Sequence, residues 1–161
     1  MPPRFLADAM LERLARWLRV LGVDVESAGG EAPDDEVVRR AVAEGRVLLT
    51  RDRRLAAAHP GVAVRVREGA PRAQLAETVA RFGVAWPGDD ALFRRCLVCN
   101  APLEPATAEQ VAEQAAPAAV ARGEAFYACP RCGRVYWEGG HTQRMRAVVR
   151  KVVGEAEEAV G

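Results

Sequence analysis

The sequence predicts an α/β fold, a parallel sheet with helices on both faces, followed by a small cysteine-built module. Three observations carry this. Short apolar runs alternate with helix-period segments over residues 1 to about 85, the pattern of strand–helix–strand units. One of those runs, Val47 to Thr50, is almost wholly apolar, as a central strand buried on both faces should be. Beyond the alternating part, Cys96, Cys99, Cys129 and Cys132 stand as two Cys-x-x-Cys pairs.

Arg4 to Ala7 is a short apolar strand ending at Asp8. Asp8 sits where a helix N-cap belongs, and the helix it opens runs to about Leu21, closed by Gly22. Leu11, Leu14, Leu18 and Leu21 repeat at helical spacing and make one buried stripe. At about 100° per residue, Arg13, Arg16 and Arg19 fall on the opposite face. Val23 to Glu26 is a second strand. After a loop holding Gly29, Gly30 and Pro33, Asp34 caps a helix through Val37, Val38, Ala41 and Val42 that ends at Gly45. Val47 to Thr50 delivers Arg51 and Asp52 at its C-terminal end. A short helix (Arg53 to Ala58), a turn at His59-Pro60-Gly61 and a fourth strand (Val62 to Val66) follow. Pro71 then opens a helix with Leu75, Val79 and Phe82 inward, stopped by Gly83. These elements add up to a small Rossmann-like domain.

Trp86 to Asp90 breaks the pattern and reads as a linker. In the alanine-rich stretch after Cys99, Thr107 and Gln110 have capping-box spacing, and Pro117 is expected to end that helix. Ala125 to Ala128 is a strand into the second cysteine pair and Val135 to Trp137 a strand out of it. A last helix places Met145, Val148, Val149 and Val152 on one side, and Glu155 to Gly161 is expected to be a flexible tail.

Half of the residues are hydrophobic, which is enough for a proper core. No apolar run approaches the roughly 18 residues of a membrane span. The N-terminus lacks the basic start and apolar run of a signal peptide, which predicts a cytoplasmic protein. Lys151 is the only lysine, so nearly all positive charge is arginine, whose planar fork suits phosphate. A GC-rich codon supply produces the same bias, so composition alone does not establish nucleic-acid binding.

In a cytosolic chain, two close cysteine pairs fit a metal better than disulfides. Each pair forms a tight turn aiming two thiolates at one ion, and two such turns complete a tetrahedral Cys₄ zinc site. Gly133 strengthens the second turn by letting the backbone curl around sulfur. A thioredoxin-like redox pair would instead open a helix after a strand, and leaves the second pair unexplained. Four protein ligands leave no position for water, so this zinc is structural.

Asp8 and Asp52 each follow a strand, at the edge where ligands bind in parallel sheets. Asp35, in the first turn of a helix, can lean over the same edge, with Asp34 as its substitute. Three crowded carboxylates need a cation between them, and Mg²⁺ or Mn²⁺ is the natural choice. The bland reading is that all of these acids are helix caps or helix-dipole partners.

Three stretches of the first part, Phe5-Leu6-Ala7-Asp8-Ala9-Met10-Leu11, Leu14-Ala15-Arg16-Trp17-Leu18-Arg19 and Leu48-Leu49-Thr50-Arg51-Asp52, are similar to the PIN-like ribonuclease domain that ends the mutator-type exonucleases. Both cysteine segments, from Arg95 to Asn100 and from Cys129 to Trp137, and Gly139-Gly140-His141 continue the likeness. The resemblance implies a PIN-like nuclease domain over 1–88 and a zinc ribbon with a C-terminal helix over 89–154, before the tail at 155–161. It also implies a Mg²⁺- or Mn²⁺-dependent ribonuclease with Asp8, Asp35 and Asp52 as metal-binding, catalytic acids. For the fourth acid common in such nucleases, Asp89, Asp90 and Glu12 are candidates.

RNA, as a single strand, is the expected partner. Arg13, Arg16 and Arg51 lie near Asp8 and Asp52 in sequence and are the candidates for its phosphates. Tyr136 and Trp137 offer stacking faces, although aromatics in so small a module also serve as core. His141 is a candidate substrate contact. The alternative function is a non-catalytic RNA- or protein-binding adaptor carrying a structural zinc ribbon. A receiver domain is disfavoured because Lys151 lies beyond the cysteines, and a haloacid-dehalogenase-type phosphatase because position 10 is Met10.

Overall fold

In the computed structural model, which describes residues 2–161, four short strands form one all-parallel sheet. They are β1 (Phe5–Ala7), β2 (Val25–Ser27), β3 (Val47–Thr50) and β4 (Ala63–Arg65), in the order β2-β1-β3-β4. β3 is interior, with Phe5 opposite Val47 on one side and Leu48 opposite Ala63 on the other. Alternation along the strands feeds two cores. Phe5, Ala7 and Leu49 pack with Leu14 and Leu18 of α1 (Glu12–Val20) and with Leu75 and Val79 of α4 (Pro71–Phe82). Leu6 and Leu48 face the other way, onto α2 (Asp34–Glu44) and α3 (Arg53–Ala58) through Val37, Val38, Ala41 and Leu55.

The cysteine region adds a three-stranded antiparallel sheet, β5 (Glu104–Pro105), β6 (Phe126–Ala128) and β7 (Val135–Trp137). The two-residue β5 has no periodicity to show in the sequence. Helices α5 (Ala108–Gln114) and α6 (Pro117–Ala121) lie between β5 and β6. The Thr107–Gln110 capping box forms as spaced. Pro117 does not end that helix. It opens α6 at the first-turn position, where a missing N–H costs nothing. Similarly, Pro33 rather than Asp34 is the N-cap of α2.

The end of the chain differs most from expectation. Helix α7 (Gly140–Val160) continues through the stretch expected to be a tail. Its Val149 and Val153 are fully buried in the core beside Phe5 and Leu18, so this helix packs with α1 and α4 rather than standing with the cysteines. Among the described residues, no helix is long and apolar enough to cross a membrane.

Arg19 also departs from the sequence reading. Expected on an exposed arginine face, it is completely buried, while Arg13 and Arg16 are exposed. Its guanidinium donates to the backbone carbonyls of Val25 (2.9 Å), Leu97 (2.8 Å) and Val98 (3.2 Å), to Ser27 Oγ (2.8 Å) and to Glu12 Oε1 (3.1 Å). It therefore staples the first cysteine turn to the edge of the parallel sheet. Arg19→Ala is expected to lower unfolding free energy by about 3–5 kcal/mol, because it strands several buried acceptors at once. Urea denaturation measures this. Arg19→Lys should rescue little of it, since an ammonium cannot span that fan of acceptors.

Asn100 completes the staple. Buried and left-handed at φ +74°, it accepts from Val25 N–H at 2.9 Å and donates to Asp24 Oδ1 at 2.7 Å. Partial burial acts to raise the Asp24 carboxyl. Hydrogen bonds from Arg46 and Asn100 and the charges of Arg46 and Arg95 outweigh it and hold the group below its ordinary range. The unfolded carboxyl keeps an ordinary pKa near about 4. The stability it contributes is thus complete above that pH and is lost as pH falls through the lower folded value. Urea midpoints should drop on acidification from neutral pH to about 3, and drop less for Asp24→Asn.

Candidate acidic edge and cysteine metal centre

Two Cys-x-x-Cys turns place four sulfurs together. All four lie within 4.8 Å of one another, with Cys96–Cys132 at 3.7 Å and Cys99–Cys129 at 3.2 Å. Four sulfurs bound tetrahedrally to zinc would sit about 3.8 Å apart, close to the Cys96–Cys132 spacing and somewhat wider than the Cys99–Cys129 one. Each turn closes on a left-handed residue, Asn100 (φ +74°) after the first and Gly133 (φ +78°) after the second. The backbone N–H groups of Arg131 and Cys132 both point at Cys129 Sγ at 3.4 Å, the outer support expected around a metal-bound thiolate.

Burial pushes the Cys96 thiol up, but the Tyr136 hydroxyl at 3.1 Å and the N–H groups of Cys99 and Val98 outweigh it and bring the thiol down to about 6. Burial pushes the Cys99 thiol up to about 12, with neighbouring sulfurs adding to the rise. Such a split is what thiolates do when crowded together, and a cation among them relieves it. The four cysteines could hold a zinc ion, in a site closed by protein ligands.

The second site lies at the C-terminal edge of the parallel sheet. Asp8 leaves β1 and caps a 3₁₀ turn (Ala9–Leu11), with Oδ1 accepting from Ala9 N–H at 2.7 Å. Asp52 caps α3, its Oδ1 accepting from the N–H groups of Arg54 (2.8 Å) and Leu55 (3.0 Å). Thr50 joins the two. Its buried hydroxyl donates to Asp8 Oδ2 at 2.9 Å and accepts from Asp52 N–H at 3.0 Å. Thr50 was missed as a site residue; a polar residue ending an otherwise apolar strand was the available signal.

Asp35 stands apart, in the first turn of α2, where its exposed carboxylate meets Arg39 alone among the described residues, at 3.5 Å. Among the described residues, the four cysteines are the only set of three or more metal-ligating side chains whose ligand atoms gather within 4.8 Å. Asp8, Asp35 and Asp52 do not form such a set as they stand. Of the fourth-acid candidates, Glu12 alone shares this edge, held by Arg19 and by Ser27 Oγ at 2.7 Å. Asp89 pairs with Arg150 at 2.9 Å, and Asp89 and Asp90 both line a groove beside the cysteine module.

The expected substrate contacts divide. Arg51 is at the acidic edge, donating to the Arg67 carbonyl at 3.3 Å while its Nε is buried without a partner. Arg13 is on the exposed face of α1. Arg16, Trp137 and His141 line the groove, where His141 shares the walls with Asp89 and Asp90 and not with Asp8, Asp35 or Asp52. Tyr136 is drawn to Cys96, which makes it a support of the cysteine cluster as well as part of the groove wall.

Fold and sites together define an α/β domain with acid-bearing strand ends and a four-cysteine cluster that could hold a metal. The family model of the Mut7-C RNAse domain matches residues 3–149, so the chain belongs to that family. The family's name suggests a ribonuclease-type function and RNA as partner. No curated protein and no solved structure matches the chain.

Proposed function

We propose that this protein is a divalent-metal-dependent ribonuclease, with a PIN-like domain, that hydrolyses RNA phosphodiester bonds at its acidic sheet edge. The observation that carries the reading is the pair Asp8 and Asp52, presented side by side by parallel strands and linked through Thr50. When bound, Mg²⁺ or Mn²⁺ supplies an activated water and offsets charge on the phosphate. Asp8 and Asp52 would hold that ion, their carboxylates oriented by the Thr50 hydroxyl and by the α3 cap. Asp35 would be the third ligand if it left Arg39, and giving up that exposed ion pair costs little. Arg51 binds the phosphate beside Asp52. The cysteine module holds zinc in a structural role.

One observation favours a second reading, a non-catalytic RNA- or protein-binding adaptor. The three carboxylates are not gathered within 4.8 Å of one another. Incubation of labelled single-stranded RNA with the protein, with Mg²⁺ or Mn²⁺ and with the metal chelated, decides between them. Metal-dependent cleavage is expected. A folded, zinc-loaded protein that cleaves none of several RNAs would establish the adaptor reading instead.

A further inference from the structure

A groove of about 900 Å³ runs between the exposed face of α1, the cysteine module and the start of α7. We propose that it is the track along which a single strand of RNA reaches the acidic edge. The proposal rests on the ribonuclease reading for where the strand leads, but binding in the groove does not require cleavage.

The charge balance of the walls suits a polyanion. Two of the five arginines lining the groove are paired with its own acids, Arg122 with Glu124 and Arg146 with Glu138, while Asp89 is taken by Arg150. That leaves Arg16, Arg94 and Arg134 with no carboxylate partner among the described residues, facing only Asp90. The walls also carry flat surfaces for unpaired bases. The Arg94 guanidinium stacks over Tyr127 at 5.2 Å, and Arg146 over Phe93 at 5.8 Å. Phe126 backs the Trp137 indole at 5.8 Å, and the indole lines the groove. Guanidinium and aromatic planes set among positive charges are what bind single strands without reading sequence.

The groove also leads toward the acids. A shallower depression lined by Arg13, Arg16, Trp17, Arg72 and Met145 shares Arg16 and Met145 with it. Arg13 and Arg16 lie in the first two turns of α1, which begins directly after the 3₁₀ turn that Asp8 caps, so the depression extends from the groove toward the end of the helix next to Asp8. A strand seated against Trp137 and Arg134 and continuing over Arg16 and Arg13 is thereby directed to the end of α1 that Asp8 precedes.

Fluorescence anisotropy of the full chain with a labelled 12-nucleotide RNA, without added divalent ion, tests this. Trp137→Ala is expected to raise Kd about ten-fold, the loss of one stacked base. The double variant Arg16→Ala/Arg134→Ala is expected to lower the slope of log K against log salt by about 1.4, two phosphate contacts of a single strand. Both arginines are exposed, so that variant folds even if Trp137→Ala does not. Duplex RNA should bind more weakly than the single strand. Unchanged Kd and salt slope in the double variant, or equal affinity for duplex, would overturn the groove as the RNA track, whatever cleavage shows. Groove-dependent binding without cleavage would sink the ribonuclease reading and leave the groove standing.

Discussion

Asp8→Asn is expected to lower metal-dependent RNA cleavage by about three orders of magnitude while leaving the protein folded. Asp8 uses one oxygen on Ala9 N–H and the other on the Thr50 hydroxyl. Asparagine can still cap the 3₁₀ turn, since it is among the best N-cap residues, so the stability cost is about 1 kcal/mol. What it removes is the negative charge that a divalent ion requires. Single-turnover cleavage and thermal melting, measured on the same preparations, separate the two effects. Asp52→Asn should behave alike, because Thr50 places both acids as one unit. Asp35→Asn is the informative comparison. An equal loss would mean that Asp35 swings in from Arg39; no loss would restrict the metal site to the strand-end pair. If Asp8→Asn cleaved as well as the parent chain, the acidic edge would not be the catalytic centre.

Cys129→Ser is expected to reduce bound zinc from about one per chain to a small fraction, and to lower Tm by roughly 10–15 °C. Cys129 is buried and receives two N–H groups on its sulfur, so a shorter, weakly ligating hydroxyl cannot replace it. The damage is not confined to the module. Arg19 rests on the carbonyls of Leu97 and Val98, inside the first cysteine turn, and Asn100 follows Cys99 directly. If that turn loosens, a fully buried guanidinium loses partners, at a cost of about 3–5 kcal/mol. Zinc released to a colorimetric chelator and melting by circular dichroism give both readouts. Full zinc content and an unchanged Tm would show that the four sulfurs are not a ligand set.

Much of the fold was legible because it is encoded locally. Helix α3 spans the predicted Arg53–Ala58, the Thr107 cap forms where its spacing puts it, and β3 is the interior strand its unbroken apolar run implies. The cysteines were legible for the same reason, since a Cys-x-x-Cys turn is complete within a few residues. The site was read only in part. Asp8 and Asp52 fall at strand ends that the pattern locates, but Thr50 looked like one more strand residue. Asp35 looked like their neighbour because a helix start was known only along the chain, not in space.

Sequence alone determined the strand and helix inventory, the parallel α/β class, the two cysteine turns and the edge that carries Asp8 and Asp52. Tertiary structure decided that Arg19 is buried, that α7 belongs to the main core, that Asn100 fastens the module to β2, and that a groove joins Arg16 to Trp137. The physical reason is the range of the interactions. Periodicity tells each helix which of its own faces must leave water, and by that rule Arg19, opposite the leucine stripe, belongs outside. It carries no word of a second surface arriving from Leu97, 78 residues further along the chain, whose carbonyls make burial of that guanidinium favourable.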